Sequence, residues 1–512
     1  MSAVEAAALI KSGSTVCTAG FLSYCMPETL YRAVERRFLK NGTPKDLTLV
    51  CCAGQSLKNG CGVDHFAHVG LVRRVISGHW NLQPALAALA ASGQIEAYNL
   101  PQGIMARLLR EIAAHGPGIL SQTGLRTFVD PRVEGGRVNS LTTEDLVGCV
   151  VLDGREWLLY KAFPIDIALI RGSYCDEAGN ISFEREALSV DACAAAQAAH
   201  NSGGKVIVQV EKIVPNGRLD PWKVKIPGCI VDAIVLAESA QEQAQCYGYE
   251  YNGALTGDGF EALRETKRSP LDIRKIIGRR AAMELHRAAV VNLGIGMPEQ
   301  VASVASEEGI FEKITLTVES GAIGGLPCGG DRFGGSVNVT AILDQASQFD
   351  FYDGGGVDLA FLGMAQADSL GNVNVSRFGG RIAGCGGFID ITQNAAKVIF
   401  CGSFTAGGID VKVEDGRLKI ASEGRRRKFL QRVEQITYCA AQAEANGHET
   451  MYVTERAVFR LHEGKLVLCE VAPGIDLETQ VLQLMDFRPE ISDSLRLMDG
   501  RIFSDAPMGL KL

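Results

Sequence analysis

Apolar positions along this chain come in short blocks such as Ile314-Thr315-Leu316-Thr317-Val318, Asp358-Leu359-Ala360-Phe361 and Lys397-Val398-Ile399-Phe400. Longer stretches with helical spacing lie between them. That alternation predicts parallel βαβ units whose strands are covered by helices on both faces. A helix is predicted from Leu271 to His286. A strand is predicted through Val290-Val291-Asn292-Leu293, feeding Gly294-Ile295-Gly296-Met297-Pro298. The proline suits the first helical turn, where its missing N–H is not needed. The next strand is predicted to end at Glu319, ahead of Ser320-Gly321-Ala322-Ile323-Gly324-Gly325.

The pattern occurs twice. Asp166, Asp176, Gly179 and Asn180 fall on Asp358, Asp368, Gly371 and Asn372 at one constant offset, and Lys205-Val206-Ile207-Val208 falls on Lys397-Val398-Ile399-Phe400 at the same offset. Upstream, Met26-Pro27-Glu28 matches Met297-Pro298-Glu299, and Leu47 to Cys52 matches Ile314 to Glu319, at larger offsets that differ from each other by four. The first copy therefore carries about eighty extra residues between Cys52 and Asp166. The expected fold is α/β: two related open α/β/α domains from an internal duplication, with parallel-rich sheets. The domains are expected at residues 1–268 and 269–512, divided at polar Glu265-Thr266-Lys267-Arg268-Ser269-Pro270. Two such domains facing each other would place an active site in the cleft between equivalent strand ends.

Composition narrows the class without naming a chemistry. At 46% hydrophobic and 21% charged, the chain is that of an ordinary globular protein. A net charge of −8 gives no support to a nucleic-acid or anionic-membrane partner. The basic run Arg425-Arg426-Arg427-Lys428 is expected to be a solvated face, with a ligand phosphate as the alternative. No run approaches a membrane span and no secretory signal opens the chain, so a cytoplasmic location is expected. The 15 cysteines include no CxxC pair and read as small core hydrophobes. Cys61, His65 and His68 have the most metal-like spacing but lack a fourth ligand, so no metal is expected.

Glu319 is the leading catalytic candidate. It stands at a strand end with a glycine run behind it, and its twin in the first copy is Cys52, so the acid occurs once in a duplicated frame. A Gly-x-Gly turn followed by a strand ending in an acid also resembles a dinucleotide fingerprint. Glu299 stands where the third glycine should be, and Pro298 stiffens the turn, so that reading is disfavoured. A second cluster, Gly379-Gly380-Arg381-Ile382-Ala383-Gly384-Cys385-Gly386-Gly387, is either a surface connection or a source of backbone N–H groups for an oxyanion.

Taken together, these segments resemble the family I coenzyme A transferases, in the fused single-chain short-chain acyl-CoA:carboxylate form. The resemblance rests on Gly20-Phe21 with Pro27-Glu28, Gly78-His79-Trp80, Tyr98-Asn99-Leu100-Pro101-Gln102-Gly103 and Thr127-Phe128-Val129-Asp130-Pro131-Arg132. It continues through Ala198 to Gly204, Asn292 to Pro298, Val318-Glu319-Ser320-Gly321 and Ala472 to Glu478. It implies an alpha-type first domain and a beta-type second domain in which Glu319 is the covalent nucleophile. It also implies Gln102 near the substrate carboxylate or thioester, Asn292 beside the nucleophile, and an oxyanion and acyl pocket from Gly20, Phe21, Gly386 and Gly387. Ala19 and Cys25 stand where the family's first turn usually has glycine, which bears on acyl preference.

The implied reaction is ping-pong transfer of coenzyme A through an acyl-glutamyl anhydride and a glutamyl-CoA thioester. Coenzyme A enters as substrate, and neither a metal nor another cofactor is implied. The implied partners are acyl-CoA and short-chain carboxylates, with a homo-oligomer, tetramer or dimer. The alternatives are an acyl-CoA hydrolase, in which water replaces the acceptor acid, and a non-catalytic acyl-CoA-binding protein.

Overall fold

Strands with apolar residues at consecutive positions can only be satisfied when both faces of a sheet are covered. The computed structural model, which describes residues 1–56, 60–262 and 268–512, builds such strands in both halves of the sequence. Glu265, Thr266 and Lys267 of the polar linker lie outside the described residues. The chain divides into two compact units. One comprises Met1–Glu261, Val318–Asp350 and Gly379–Asp390; the other comprises Ala262–Thr317, Phe351–Phe378 and Ile391–Leu512.

The first unit holds a fully parallel sheet of seven strands: β1 (Thr15–Thr18), β2 (Leu47–Cys51), β3 (Val72–Ser77), β4 (Glu96–Asn99), β5 (Ile167–Arg171), β6 (Lys205–Val210) and β7 (Ala233–Leu236). Their order is β7-β6-β5-β1-β2-β3-β4. Alternate residues feed two apolar layers. Cys17, Val50, Ala168, Ile170, Val206 and Val208 enter one, while Val16, Leu49, Ile167, Leu169 and Ile207 enter the other. Helix α1 (Glu28–Asn41) follows β1 and ends at Gly42, whose φ of 66° supplies the left-handed cap. Helix α2 (Gln102–Ala113) follows β4, and α3 (Ala192–Asn201) precedes β6.

In the second unit, β8 (Val290–Leu293), β9 (Thr315–Thr317), β10 (Leu359–Gly363), β11 (Lys397–Cys401) and β12 (Glu449–Val453) run parallel in the order β9-β8-β10-β11-β12. Val291, Leu293, Leu316, Phe361, Ile399 and Met451 share one apolar layer there. The helix expected over Leu271–His286 is shorter, α4 (Ile273–Ala282), because Asp272 caps it by accepting from Lys275 N at 2.9 Å. Pro298 sits one place earlier than expected, at the N-cap of α5 (Glu299–Glu307).

The repeat extends to individual hydrogen bonds. Asp176 Oδ1 accepts from Ala178 N and Asn180 N at 3.0 and 2.9 Å. Asp368 Oδ1 does the same with Leu370 N and Asn372 N at 3.0 and 2.9 Å. Gly179 and Gly371 turn at φ 89° and 85°, conformations that favour glycine. Strand register repeats too, with Lys205 opposite Ile167 and Lys397 opposite Leu359. Asp166 accepts from Thr15 N and Asp358 from Val290 N. Measured from those bonds to Pro27 and Pro298, the first copy's turn is longer by four residues. The extra segment of the first copy forms β3 and β4, the helix Pro84–Ala91, α2 and a three-stranded antiparallel sheet (Gly118–Ser121, Val147–Leu152, Arg155–Lys161).

Candidate active site

Glu319 lies two residues beyond β9, in a turn rather than on the strand itself. Val318 N donates to Ala322 O at 2.8 Å and Gly321 N to Val318 O at 3.0 Å, so the chain reverses tightly around the acid. Gly321, at φ 118°, could not carry a side chain, since a Cβ there would lie 2.1 Å from Leu343 O. Ser320 is buried and donates its hydroxyl to Gly334 O at 2.5 Å. Glu319 itself is half-buried on this braced turn. A carboxylate so held keeps its position without being sealed from a ligand.

The Gly20-Phe21 turn meets the same bracing segment. The Phe21 and Phe333 rings lie 6.0 Å apart, and a Cβ on Gly334 would press to 2.7 Å from the Phe21 ring. Phe21 N donates to Tyr24 O at 3.1 Å and is therefore engaged, whereas Gly20 N has no partner among the described residues. Cys25 adopts φ 58°, which is why glycine suits this place. Its thiol is buried, donating to Leu188 O at 3.2 Å and lying 3.7 Å from Glu186 Oε2. Glu186 in turn pairs with the buried Arg171 at 2.6 Å.

The second glycine cluster is not a loose surface connection. Ala383 O accepts from both Trp80 N and Asn81 N at 2.9 Å, Cys385 N donates to Asn99 Oδ1 at 2.9 Å, and Gly386 O accepts from Gln102 N at 2.9 Å. Gly386 N donates to Gly78 O at 2.7 Å, so within this pair the N–H without a partner among the described residues is that of Gly387. Gln102 opens α2 at 2% exposure. A Cβ on Gly386 would lie 3.6 Å from Gln102 Oε1.

In the second unit, Asn292 is wholly buried at the end of β8. Its Nδ2 faces Thr317 O at 3.4 Å and Tyr352 Oη at 3.3 Å. Its Oδ1 has no hydrogen-bond partner among the described residues, an acceptor whose burial would be costly without a ligand or water.

Two residues escaped sequence reading. Asp191 and Gln345 are buried at 3% and 0% exposure. Only one orientation of the Gln345 amide satisfies both its neighbours. Its NH2 then donates to Asp191 Oδ1 at 2.5 Å, and its oxygen accepts from Gln102 Nε2 at 2.6 Å. Burial pushes the Asp191 carboxyl up to about 7, partly offset by the thiol of Cys52 donating to it. Cys52 is the twin of Glu319. No local motif marks these contacts, because they join residues far apart in sequence.

The residues with metal-like spacing are engaged otherwise. His65 Nδ1 meets Glu35 at 2.6 Å and its Nε2 meets Glu28 at 2.7 Å, while His68 Nε2 meets Glu35 at 2.7 Å. Among the described residues, no group of three or more His, Cys, Asp or Glu side chains is placed to hold a metal ion. A cavity of about 600 Å³ beside Met26, Glu28, Cys61, Arg171 and Tyr249 is lined by none of the predicted site residues. The basic run is exposed only in part. Arg427 pairs with Asp486 at 2.9 Å, but Lys428 is buried, and burial pushes its amine down to about 8. No helix among the described residues is long and apolar enough to cross a membrane.

Residues 1–237 match the family model described as coenzyme A transferase. The chain is 44% identical over 515 aligned residues to acetate CoA-transferase YdiF of Escherichia coli K12, covering 100% of this chain and 96% of that protein. It is 45% identical to caffeate CoA-transferase of Acetobacterium woodii, covering 100% and 98%. The crystal structure of E. coli O157:H7 acyl-CoA transferase YdiF as a thioester complex with CoA superposes with a TM-score of 0.93 at 42% identity, covering 100% and 97%. The α/β fold and this likeness over the full chain define a transferase. The chain belongs to the coenzyme A transferase family and is an enzyme that moves coenzyme A between an acyl-CoA and a carboxylic acid.

Proposed function

We propose that Glu319 is the covalent nucleophile of a ping-pong CoA transfer between short-chain acyl-CoA and free carboxylates. The observation that carries this reading is the turn at Glu319, which is half-buried and braced by Ser320 and Gly321, while its twin Cys52 is buried. The carboxylate attacks the thioester carbonyl and the C–S bond breaks, giving an acyl-glutamyl anhydride and coenzyme A thiolate. The thiolate attacks the glutamyl carbonyl, the first acid leaves, and a glutamyl-CoA thioester remains. A second carboxylate reverses both steps and departs as the new acyl-CoA.

Each tetrahedral stage places charge on an oxygen, and a preorganised N–H aimed there is worth about a hundredfold or more in rate. Gly20 N–H and Gly387 N–H are the donors in the two candidate pairs that have no partner among the described residues, while Phe21 and Gly386 shape the pocket walls. Gln102 contacts the substrate carboxylate or thioester, and Asn292 is a further substrate-binding residue, the role the family resemblance implies. The duplicated Asp-Gly-Asn turns support alpha-type and beta-type halves of the sequence at residues 1–268 and 269–512, although Val318–Asp350, which carries Glu319, and Gly379–Asp390 belong to the first compact unit. Coenzyme A is a substrate and no other cofactor takes part. The enzyme works in the cytoplasm as a homo-oligomer. The names of the acetate and caffeate relatives support a carboxylate acceptor.

The test is incubation with acetyl-CoA, trapping with hydroxylamine or borohydride, and peptide mass mapping. The adduct is expected on Glu319, and Glu319→Ala should neither form it nor turn over. An adduct elsewhere, or turnover in that variant, overturns the assignment. Free coenzyme A released equally with and without added acetate would identify a hydrolase instead.

A further inference from the structure

The mechanism above leaves unexplained an acidic side chain buried behind Gln102. Asp191, at the end of the segment leading into α3, accepts a hydrogen bond from the Cys52 thiol and stands within electrostatic reach of the thiols of Cys17, Cys25 and Cys51 and the carboxylate of Asp344. Its Oδ1 receives the Gln345 NH2 at 2.5 Å and its Oδ2 lies 3.3 Å from the same nitrogen. Gln345 opens helix α6 (Gln345–Asp353), and its own backbone N–H donates to Val190 O at 3.1 Å. One residue earlier, Asp344 Oδ1 accepts from Ser347 N at 3.0 Å and pairs with Arg110 of α2 at 2.5 Å. The start of α6 is thus fastened both to the Asp191 segment and to the helix that begins with Gln102.

We propose that Asp191 and Gln345 are positioning residues that fix the direction of the Gln102 amide, and so which of its atoms meets the substrate. An ionised carboxylate can only accept hydrogen bonds. It therefore forces the Gln345 NH2 toward itself and the Gln345 oxygen toward Gln102 Nε2. Gln102 is left with one N–H to offer and with Oε1 turned to the Gly386 loop. A protonated Asp191 can also donate, which lets the Gln345 amide turn over and with it the Gln102 amide. The relay reads the charge of one buried acid into the polarity of a substrate contact two residues away along the hydrogen-bond chain. It rests on the reading of Gln102 as a substrate contact.

The experiment compares wild type with Asp191→Asn and Gln345→Met, measuring kcat and KM for propionyl-CoA as donor and for acetate as acceptor from pH 6 to 9. Thermal unfolding and the Glu319 trapping reaction are run alongside. Wild-type kcat/KM for acetate should rise with pH through a limb near 7. Asparagine both donates and accepts, so Asp191→Asn should lose the limb and stand about tenfold lower at pH 8, the scale of one lost hydrogen bond. Gln345→Met should do the same, with the Glu319 adduct still formed. Wild-type kcat/KM in either variant at pH 8, or a limb near 7 that survives in Asp191→Asn, overturns the relay while the Glu319 assignment stands. Should neither variant fold, a wild-type profile flat through pH 7 overturns it. A wild type without the Glu319 adduct overturns the functional reading and the relay with it.

Discussion

Ser320 and Gly334 are joined by a 2.5 Å hydrogen bond from the serine hydroxyl to the glycine carbonyl. That bond links the turn that carries Glu319 to the segment against which Phe21 packs. Gly334 holds φ 120°, a conformation that costs any other residue, and a Cβ there would sit 2.7 Å from the Phe21 ring.

Gly334→Ala should therefore lose about 1–3 kcal/mol of stability, from strain together with displacement of the ring. It should also slow turnover, because the Phe21 turn and the Glu319 turn lean on one residue. Chemical denaturation and steady-state kinetics check both effects. A variant with reduced stability but unchanged kcat would mean that the two turns move independently.

The parallel strands and the doubled frame were legible because the apolar runs and turns that make them up are local. Apolar runs such as Val206-Ile207-Val208 and the Asp176-Gly179-Asn180 turn state their own conformations. The site's supporting bonds were not legible. Gln102 to Gln345 to Asp191 joins three distant segments, and nothing in Val190-Asp191-Ala192 distinguishes a buried acid from a helix cap. The glycine cluster at 379–387 left two readings open, since composition alone does not show that Ala383 O and Gly386 N are already engaged by Trp80, Asn81 and Gly78.

Cys25 offers a test of local strain. It adopts φ 58° with its thiol buried. Cys25→Ala and Cys25→Gly both delete the thiol and its contact with Leu188 O, but only alanine keeps a Cβ in the left-handed region. Glycine should be the more stable of the two by about 1 kcal/mol. Paired urea melts decide this, and equal midpoints would mean that the turn relaxes to a right-handed conformation.

His65 makes stability depend on pH. Burial alone would lower its pKa, but the hydrogen bonds and charges of Glu28 and Glu35 outweigh burial and raise it. A histidine whose folded pKa is raised contributes stability that is fully present below its unfolded value near 6.5, and that contribution fades as pH rises through the folded value. Wild type should thus lose stability on the alkaline side of about 6.5, by roughly 1 kcal/mol per unit of raised pKa. His65→Gln should be flatter across the same interval. A variant with wild-type pH dependence would place the effect in other groups.

Asp191 gives the opposite sign of variant effect. Burial holds it at about 7, against an ordinary carboxylate near 4. Between those values the folded chain keeps a proton that the unfolded chain has released. Stability therefore falls as pH rises across that window and stays reduced above it. Asparagine has no charge to desolvate, so Asp191→Asn should be more stable than wild type at pH 8, by on the order of a few kcal/mol. The difference should shrink toward pH 5. Urea melts at the two pH values measure it directly. A variant less stable than wild type at pH 8 would show that the ionised carboxylate is better solvated by Gln345 and Cys52 than burial suggests. A more stable variant with weakened acetate kinetics would instead show that the acid is retained at a cost to the fold. What it supplies in return is the one-way hydrogen bond through Gln345 that holds Gln102.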